Sequence, residues 1–369
     1  MLDNRKLVLD TFCEVYDLLK PWADAEFWSL QEHIEQGNFV PGAIYLIGRR
    51  QFHVNVDRIR SLVDQAHIIL SNPAEGSDTL RTHCTAVWNV DDLVRTNKLL
   101  LIGGGDMDHS WTCLQYDSFL PQILDYEENL LAIDRTKEIY NKIQKPYKFL
   151  FLNGRNRSHR KYLIERFGNN GMLDQALWTC LDTRMGGLQY LPSQYEYSTY
   201  KDNIGKKQTI SPADRLSKNH FAKHDLFGGE WGEIYLNAEP YIDSYFSVVT
   251  ETVFTYPYSF RTEKIWKPIA IGHPFVAVAN QGYYRDLHNL GFQTFGHVID
   301  ESFDSIENNQ DRLERIAQVV EDLCQQDLAS FLKECYNVCK YNQQHLAEMR
   351  HQVRQEFPNR FKQFIQQHL

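Results

Sequence analysis

The sequence predicts an α/β chain of two Rossmann-like domains facing a cleft, followed by a helical C-terminal tail. Three observations predict it. Short apolar runs ending in Gly, Asn or Asp recur through about the first 140 residues, helical patterns lie between them, and a second series of the same kind begins near residue 147. Such strand-helix alternation makes a mostly parallel sheet in each half.

The elements follow in order. After an amphipathic start (Leu7, Leu9, Phe12, Val15, Leu18, Leu19) come the strands "AIYLIG" at 43–48, "AHIILSNP" at 66–73 and "KLLLIGGGD" at 98–106, with a helical pattern at Val56, Ile59, Leu62 and Val63. "DRTKEIYNKIQKP" at 134–146 reads as the helix and exit between the halves, with Pro146 at the boundary. "YKFLFLNG" at 147–154 is then a buried strand, "SHRKYLIERF" at 158–167 a helix, and "IDSYFSVVTE" at 242–251 and "PFVAVAN" at 274–280 further strands. From about Asp311 the pattern is helical. The expected domains are 1–145, 146–310 and a tail, 311–369, packing across the domain junction.

Composition bounds the function. The chain has 369 residues, 43% hydrophobic and 24% charged, which suits a globular protein with two cores. No apolar run is long enough for a bilayer, and Asp, Glu and Arg interrupt residues 1–30, so a cytoplasmic protein is expected. Seven scattered cysteines without paired C-x-x-C units signal neither a disulfide framework nor a zinc site and read as reduced, mostly buried thiols. A net charge of -9 argues against coating nucleic acid through overall charge, so any bound anion must be met locally.

Two stretches could meet one. In "YSFRTEKIWKPIAIGHPFVAV", 258–278, Thr262 is a helix cap, Ile265, Trp266 and Ile269 form an inward stripe, and Gly272 ends the helix before Pro274. Lys264 and Lys267 stand beside the positive end of the helix, where acidic residues are usual; a bound pyrophosphate would make dipole and ammonium groups cooperate. Glu263 can accept hydrogen bonds from vicinal ribose hydroxyls. Alone, the stretch reads as a surface helix with a Glu-Lys pair. In "FLFLNGRNRSHR", 149–160, a strand stops at Asn153-Gly154, and Arg155, Arg157 and Arg160 follow where open α/β sheets bind ligands.

These motifs together resemble the donor-binding half of GT-B glycosyltransferases, most of all the α-1,3-fucosyltransferase type, over roughly residues 147–305. The resemblance rests on "FLFLNGRNRSHRKYL", "SYFSVVTETVF" and "FRTEKIWKPIAIGHPFVAV". It implies that Lys264 and an arginine, Arg157 or Arg160, hold the diphosphate of a GDP- or UDP-linked sugar, and that Glu263 holds its ribose. Glu251 and Thr252 stand where the family has Glu-Asn, and Gly272-His273-Pro274 where it has Gly-Ala-x-Pro. The first domain would then face the acceptor and the second the donor. The expected activity is inverting, metal-independent transfer of a sugar to a hydroxyl acceptor, with no cofactor.

Transfer needs a carboxylate to deprotonate the acceptor while cations stabilise the leaving diphosphate. The candidates are Glu75 and Asp78 in "SNPAEGSD" and Asp106 in "GGGDMDHSW"; Glu75 comes first because Pro73 and Gly76 fix a turn around it, and it reads equally as a solvated loop carboxylate. Asp106, Asp108 and His109 make a metal site only weakly, and none is expected. The polar insert at about 184–235, basic between 201 and 224, reads as a solvated flap or as a lid over a polyanionic acceptor such as a lipid-linked phosphate or modified DNA. Two other classes stay open: a non-catalytic nucleotide-binding module, and another phosphate-handling enzyme such as a sugar-phosphate epimerase or kinase. Neither a Walker A motif nor a G-x-G-x-x-G after a strand is present.

Overall fold

The computed structural model describes residues 5–106, 111–153, 157–180, 198–199, 208–209 and 236–369. The chain divides into two compact units. One is Met1–Pro121 with Tyr258–Arg261 and Met349–Leu369; the other is Gln122–Pro257 with Thr262–Glu348. The first changeover thus falls ahead of Pro146, and two later segments return to the first unit.

The first unit holds a parallel sheet of β1 (Leu7–Asp10), β2 (Ala25–Phe27), β3 (Ile44–Gly48), β4 (His67–Gly76), β5 (Leu99–Gly104) and β6 (Cys113–Gln115) in the order β2-β1-β3-β4-β5-β6. Strands β1, β3 and β5 are buried at every residue, which is why they read as continuous apolar runs. Their side chains alternate between two cores. Val8, Tyr45, Ile47, Ile68, Leu70 and Leu101 serve one core; Leu9, Ile44, Leu46, Ile69, Leu100 and Ile102 serve the other, which Phe357, Phe361 and Ile365 complete. The apolar start is therefore not one amphipathic segment. Residues Leu7–Asp10 are a central strand, and Tyr16–Leu19 form a short helix after it.

The second unit holds β7 (Tyr147–Asn153), β8 (Ala176–Cys180), the two-residue antiparallel pair β9 (Ser198–Thr199) and β10 (Gln208–Thr209), then β11 (Ser244–Thr250) and β12 (Phe275–Val278). Its parallel sheet runs β12-β11-β7-β8. In both sheets the chain steps to one side of the first strand and then returns on the other. The order reverses between β1 and β3 in the first unit and between β7 and β11 in the second, and such reversals open a crevice at the carboxyl ends of the strands.

The helix Glu263–Ile271 is capped at both ends. Thr262 is its N-cap; Gly272, at φ 69°, closes a Schellman turn through Gly272 N to Ile269 O at 3.2 Å and His273 N to Pro268 O at 2.8 Å. The left-handed backbone at Gly272 is what calls for glycine; a side chain there would also displace the amide of Gln343, whose Oε1 would lie 2.7 Å from the new Cβ. The C-terminal pattern resolves into helices Asn309–Leu323 and Leu328–His368. The second counts with the second unit through Glu348 and with the first from Met349.

Among the described residues no helix is long and apolar enough to cross a membrane. Cys13, Cys84, Cys324, Cys335 and Cys339 are buried free thiols, and Cys113 is a half-buried one. The Asp108-His109 pair, Arg155 and the insert apart from β9 and β10 lie outside the described residues.

Candidate functional site

The crevice of the second unit lies where β7 ends at Asn153 and β11 ends at Thr250. Asn153 is buried, and its Oδ1 accepts the Thr250 hydroxyl at 2.7 Å, joining the two strand ends side chain to side chain. Arg157 is the N-cap residue of the helix Ser158–Asn169 and is exposed. His159 and Arg160, in the first turn, turn inward and are buried. Arg160 Nη2 donates to the carbonyls of Thr250 at 2.8 Å and Glu251 at 3.1 Å, and the His159 ring bonds the Glu251 carbonyl at 3.0 Å. These two residues fasten the helix to the end of β11. Burial, then the Arg160 guanidinium, push the His159 pKa down to about 3, so its ring is neutral and Nε2 carries the proton given to the carbonyl.

Glu251 is fully buried, and its carboxylate organises the next segment. Oε1 accepts Thr262 N–H at 3.1 Å and the Tyr283 hydroxyl at 2.8 Å; Oε2 accepts the Thr262 hydroxyl at 2.6 Å and Thr252 N–H at 3.3 Å. Four donors on one carboxylate offset much of the cost of burying its charge. They also set the cap from which the helix Glu263–Ile271 starts.

Lys264 Nζ reaches the Glu263 carboxylate at 2.6 Å, the Thr262 hydroxyl at 3.2 Å and the Thr252 hydroxyl at 3.4 Å. The cation that the sequence places at the wrong end of a helix is thus balanced by its own neighbour in the first turn. Burial raises the Glu263 pKa, but the ammonium groups of Lys264 and Lys267 and the Lys264 hydrogen bond outweigh it and hold the carboxyl below its ordinary value. The Lys264 side chain keeps 21% exposure against 6% for Glu263, so the ammonium is the more open of the two groups. Asn153, Arg160, Glu251, Thr262, Glu263 and Lys264 are therefore linked by hydrogen bonds around the ends of β7 and β11, with Arg157 at the start of the helix Ser158–Asn169 and Lys267 further along the helix Glu263–Ile271. A separate hollow of about 480 Å³, lined by Tyr162, Glu165, Arg166, Asn169, Asn170 and Glu321, lies toward the other end of the helix Ser158–Asn169. Its Arg166 is bound to Glu314 and Glu321, which marks it as an ion-pair seam between helices.

The three carboxylates expected as bases lie in the first unit. Glu75, near the end of β4, pairs with Arg49 Nη1 at 2.7 Å and is partly exposed. Asp78 lies in the helix Ser77–Thr82, and its side chain is outside what the structure describes. Asp106 is held by Arg261, Nη1 to Oδ2 at 3.1 Å and Nη2 to Oδ1 at 2.9 Å; Gln115 Nε2 adds a bond at 3.3 Å. Arg261 is 1% exposed and also reaches Asp117 at 3.1 Å.

The segment Tyr258–Arg261 was not singled out for this role. Phe260 lies where Cβ atoms on Gly76 and Gly104 would come within 2.9 Å of its ring, and a Cβ on Gly105, at φ +67°, would meet Ser259 O at 2.6 Å. The glycines of "IGGGD" make room for this segment. Tyr283 was missed as well, since its only sequence signal is an aromatic residue after a strand. Among the described residues no cluster of three or more His, Cys, Asp or Glu is placed to hold a metal.

No protein-family model, no curated protein and no solved structure matches this chain.

Proposed function

We propose that the second unit binds a nucleoside diphosphate-sugar and that the chain is a glycosyltransferase. The observation that carries this reading is the grouping of a buried carboxylate hub, Glu251, a carboxylate-ammonium pair, Glu263-Lys264, and an exposed helix-start arginine, Arg157, at the carboxyl ends of β7 and β11. A diphosphate needs a cation and free N–H groups at a helix start. Lys264 and Arg157 supply the cations, and the first turn of the helix Ser158–Asn169, whose N-cap residue makes no side-chain cap bond, supplies N–H groups. A ribose needs an ionised carboxylate, and Glu263 is held ionised. Arg160, committed to backbone carbonyls, acts by placing the helix rather than by gripping phosphate.

The finer parts of the reading belong to the same proposal: the two-domain arrangement of GT-B enzymes, an acceptor on the first unit, Glu75 as the base, a cytoplasmic donor and chemistry without a metal. Glu75 suits the base better than Asp106, because Arg261 occupies both oxygens of Asp106. A thermal-shift panel of GDP- and UDP-sugars tests the reading, since a ligand that binds only the folded state raises the melting temperature. At least one donor is expected to raise it, and Lys264→Ala and Glu263→Ala to abolish the rise without unfolding the protein. Shifts retained by both variants would overturn this placement of the site.

A further inference from the structure

The first unit carries a second reversal point, and its strand ends are furnished differently. Across β2, β1, β3 and β4, in sheet order, the residues just beyond or at the carboxyl ends are Trp28, Phe12, Arg49 with Arg50, and Glu75. Trp28 is 68% exposed and Phe12 39%, yet their ring centroids are 4.2 Å apart, and the Arg50 guanidinium lies 5.6 Å from the Phe12 ring. The platform is fixed from below. Thr11 N–H bonds Phe27 O at 3.0 Å, Phe12 N–H bonds Asp10 Oδ1 at 3.0 Å, and Gln51 Nε2 donates to Trp28 O at 2.8 Å. A backbone held this firmly, presenting an indole to water, spends little ordering entropy on binding.

A second observation concerns the carboxyl end of β4. Asn72, one residue past the paired Gly48 and Ser71, is fully buried, and neither its amide oxygen nor its nitrogen has a partner. Buried amides are nearly always satisfied, so a water or a ligand hydroxyl is wanted there.

We infer that the crevice at the carboxyl ends of β2, β1, β3 and β4 is a binding site for a neutral saccharide, stacked on Trp28, with the Phe12 ring set at 60° against its side, and hydrogen-bonded by the Arg49–Glu75 pair. Charge selects this occupant over a polyanion. Arg49 is already paired with Glu75, the buried Asp10 lies near Arg50, and Glu14 reaches Ser71 at the end of β4, so a phosphate-rich polymer would meet acidic groups beside both arginines. A pyranose offers weakly positive C–H groups to the negative face of an aromatic ring and vicinal hydroxyls to a donor-acceptor pair such as guanidinium and carboxylate. Binding here stands apart from the donor site; only its use as an acceptor site rests on the transferase reading.

The test is saturation-transfer NMR with a tryptophan-fluorescence titration on the full chain, using cellotriose, lactose and diacetylchitobiose as neutral probes and a heparin hexasaccharide and a single-stranded DNA oligomer as anionic ones. At least one neutral probe is expected to receive saturation through its ring protons, with affinity indifferent to salt and weakened about tenfold or more by Trp28→Ala. Trp28→Phe should recover part of it, and Lys264→Ala should leave it unchanged, which separates this site from the donor crevice. Because Trp28 is exposed, its substitution spares the core. The inference is overturned if none of the neutral probes binds, if Trp28→Ala binds as well as the wild type, or if only the anionic probes bind, with a steep salt dependence.

Discussion

The Glu251 carboxylate holds Thr262 twice, by the hydroxyl at 2.6 Å and by the backbone N–H at 3.1 Å, so the end of β11 dictates where the helix Glu263–Ile271 begins. Glu251→Gln keeps the shape but offers one acceptor oxygen where four donors converge, and turns an NH₂ toward at least one of them. Leaving a buried donor without an acceptor costs about 1–3 kcal/mol, and more for charged groups. Urea denaturation should show a loss of at least that size, and calorimetry should show weaker nucleotide binding as the cap shifts. A loss below about 0.5 kcal/mol would mean that the hub is dispensable.

Gly76→Ala should be destabilising because of one ring. Its φ and ψ suit alanine, but the new Cβ would lie 2.9 Å from Phe260 Cγ. Overpacking of this kind costs about 1–3 kcal/mol. In a Phe260→Gly background, which removes both Cγ and the Cβ at 3.0 Å, the same substitution should cost much less, and the double-mutant cycle measures the coupling. Additive effects would place Phe260 elsewhere.

Arg261→Met removes the guanidinium from Asp117 and Asp106 and leaves a carboxylate of 11% exposure, that of Asp117, without its counter-ion. Breaking a buried pair from one side costs about 3–5 kcal/mol. The partial exposure of Asp106 places this case at the low end. Equilibrium unfolding followed by tryptophan fluorescence reads it directly.

His273 is buried, with Nδ1 against the Ser247 hydroxyl at 2.9 Å and Nε2 against Ser244 O at 2.9 Å, and burial pushes its pKa down to about 3. His159 is likewise pushed down to about 3. The unfolded chain therefore binds protons below about pH 6.5 that the folded chain refuses until about pH 3. Stability from these groups is complete above pH 6.5 and falls with acidification, by about 1.4 kcal/mol per pH unit for each histidine within that window. Denaturation between pH 7 and 4 should show His273→Asn with a slope shallower by about one proton. An unchanged slope would contradict a neutral buried imidazole at this position.

How legible this was in the sequence depended on the length of the signal. The strands β3, β4, β5, β7, β11 and β12 carry short apolar stretches bounded by Gly, Asn, Asp or Pro and stand out in the sequence. The three-residue β2 and β6 carry no run at all, and β1 was merged with the apolar turn residues after it. In the site, Asn153, Glu251, Thr262, Glu263 and Lys264 were visible because polar residues at strand ends and helix starts break the local apolar pattern. What was not visible were relations between distant residues. Arg261 meets Asp106 across 155 positions, and nothing near Gly104 announces Phe260. The inward turn of Arg160 was equally hidden, since three arginines in one loop look alike until the helix assigns one of them a buried face.

The most direct measurement of the central claim is a calorimetric titration of GDP and of UDP into the wild type, Lys264→Ala and Lys264→Arg. The account predicts one-to-one binding of one nucleotide to the wild type, a loss of about tenfold or more in the alanine variant, and partial recovery with arginine, which restores the charge but not the point geometry of the ammonium. Equal affinity in all three proteins, or no binding of either nucleotide to the wild type, would contradict it.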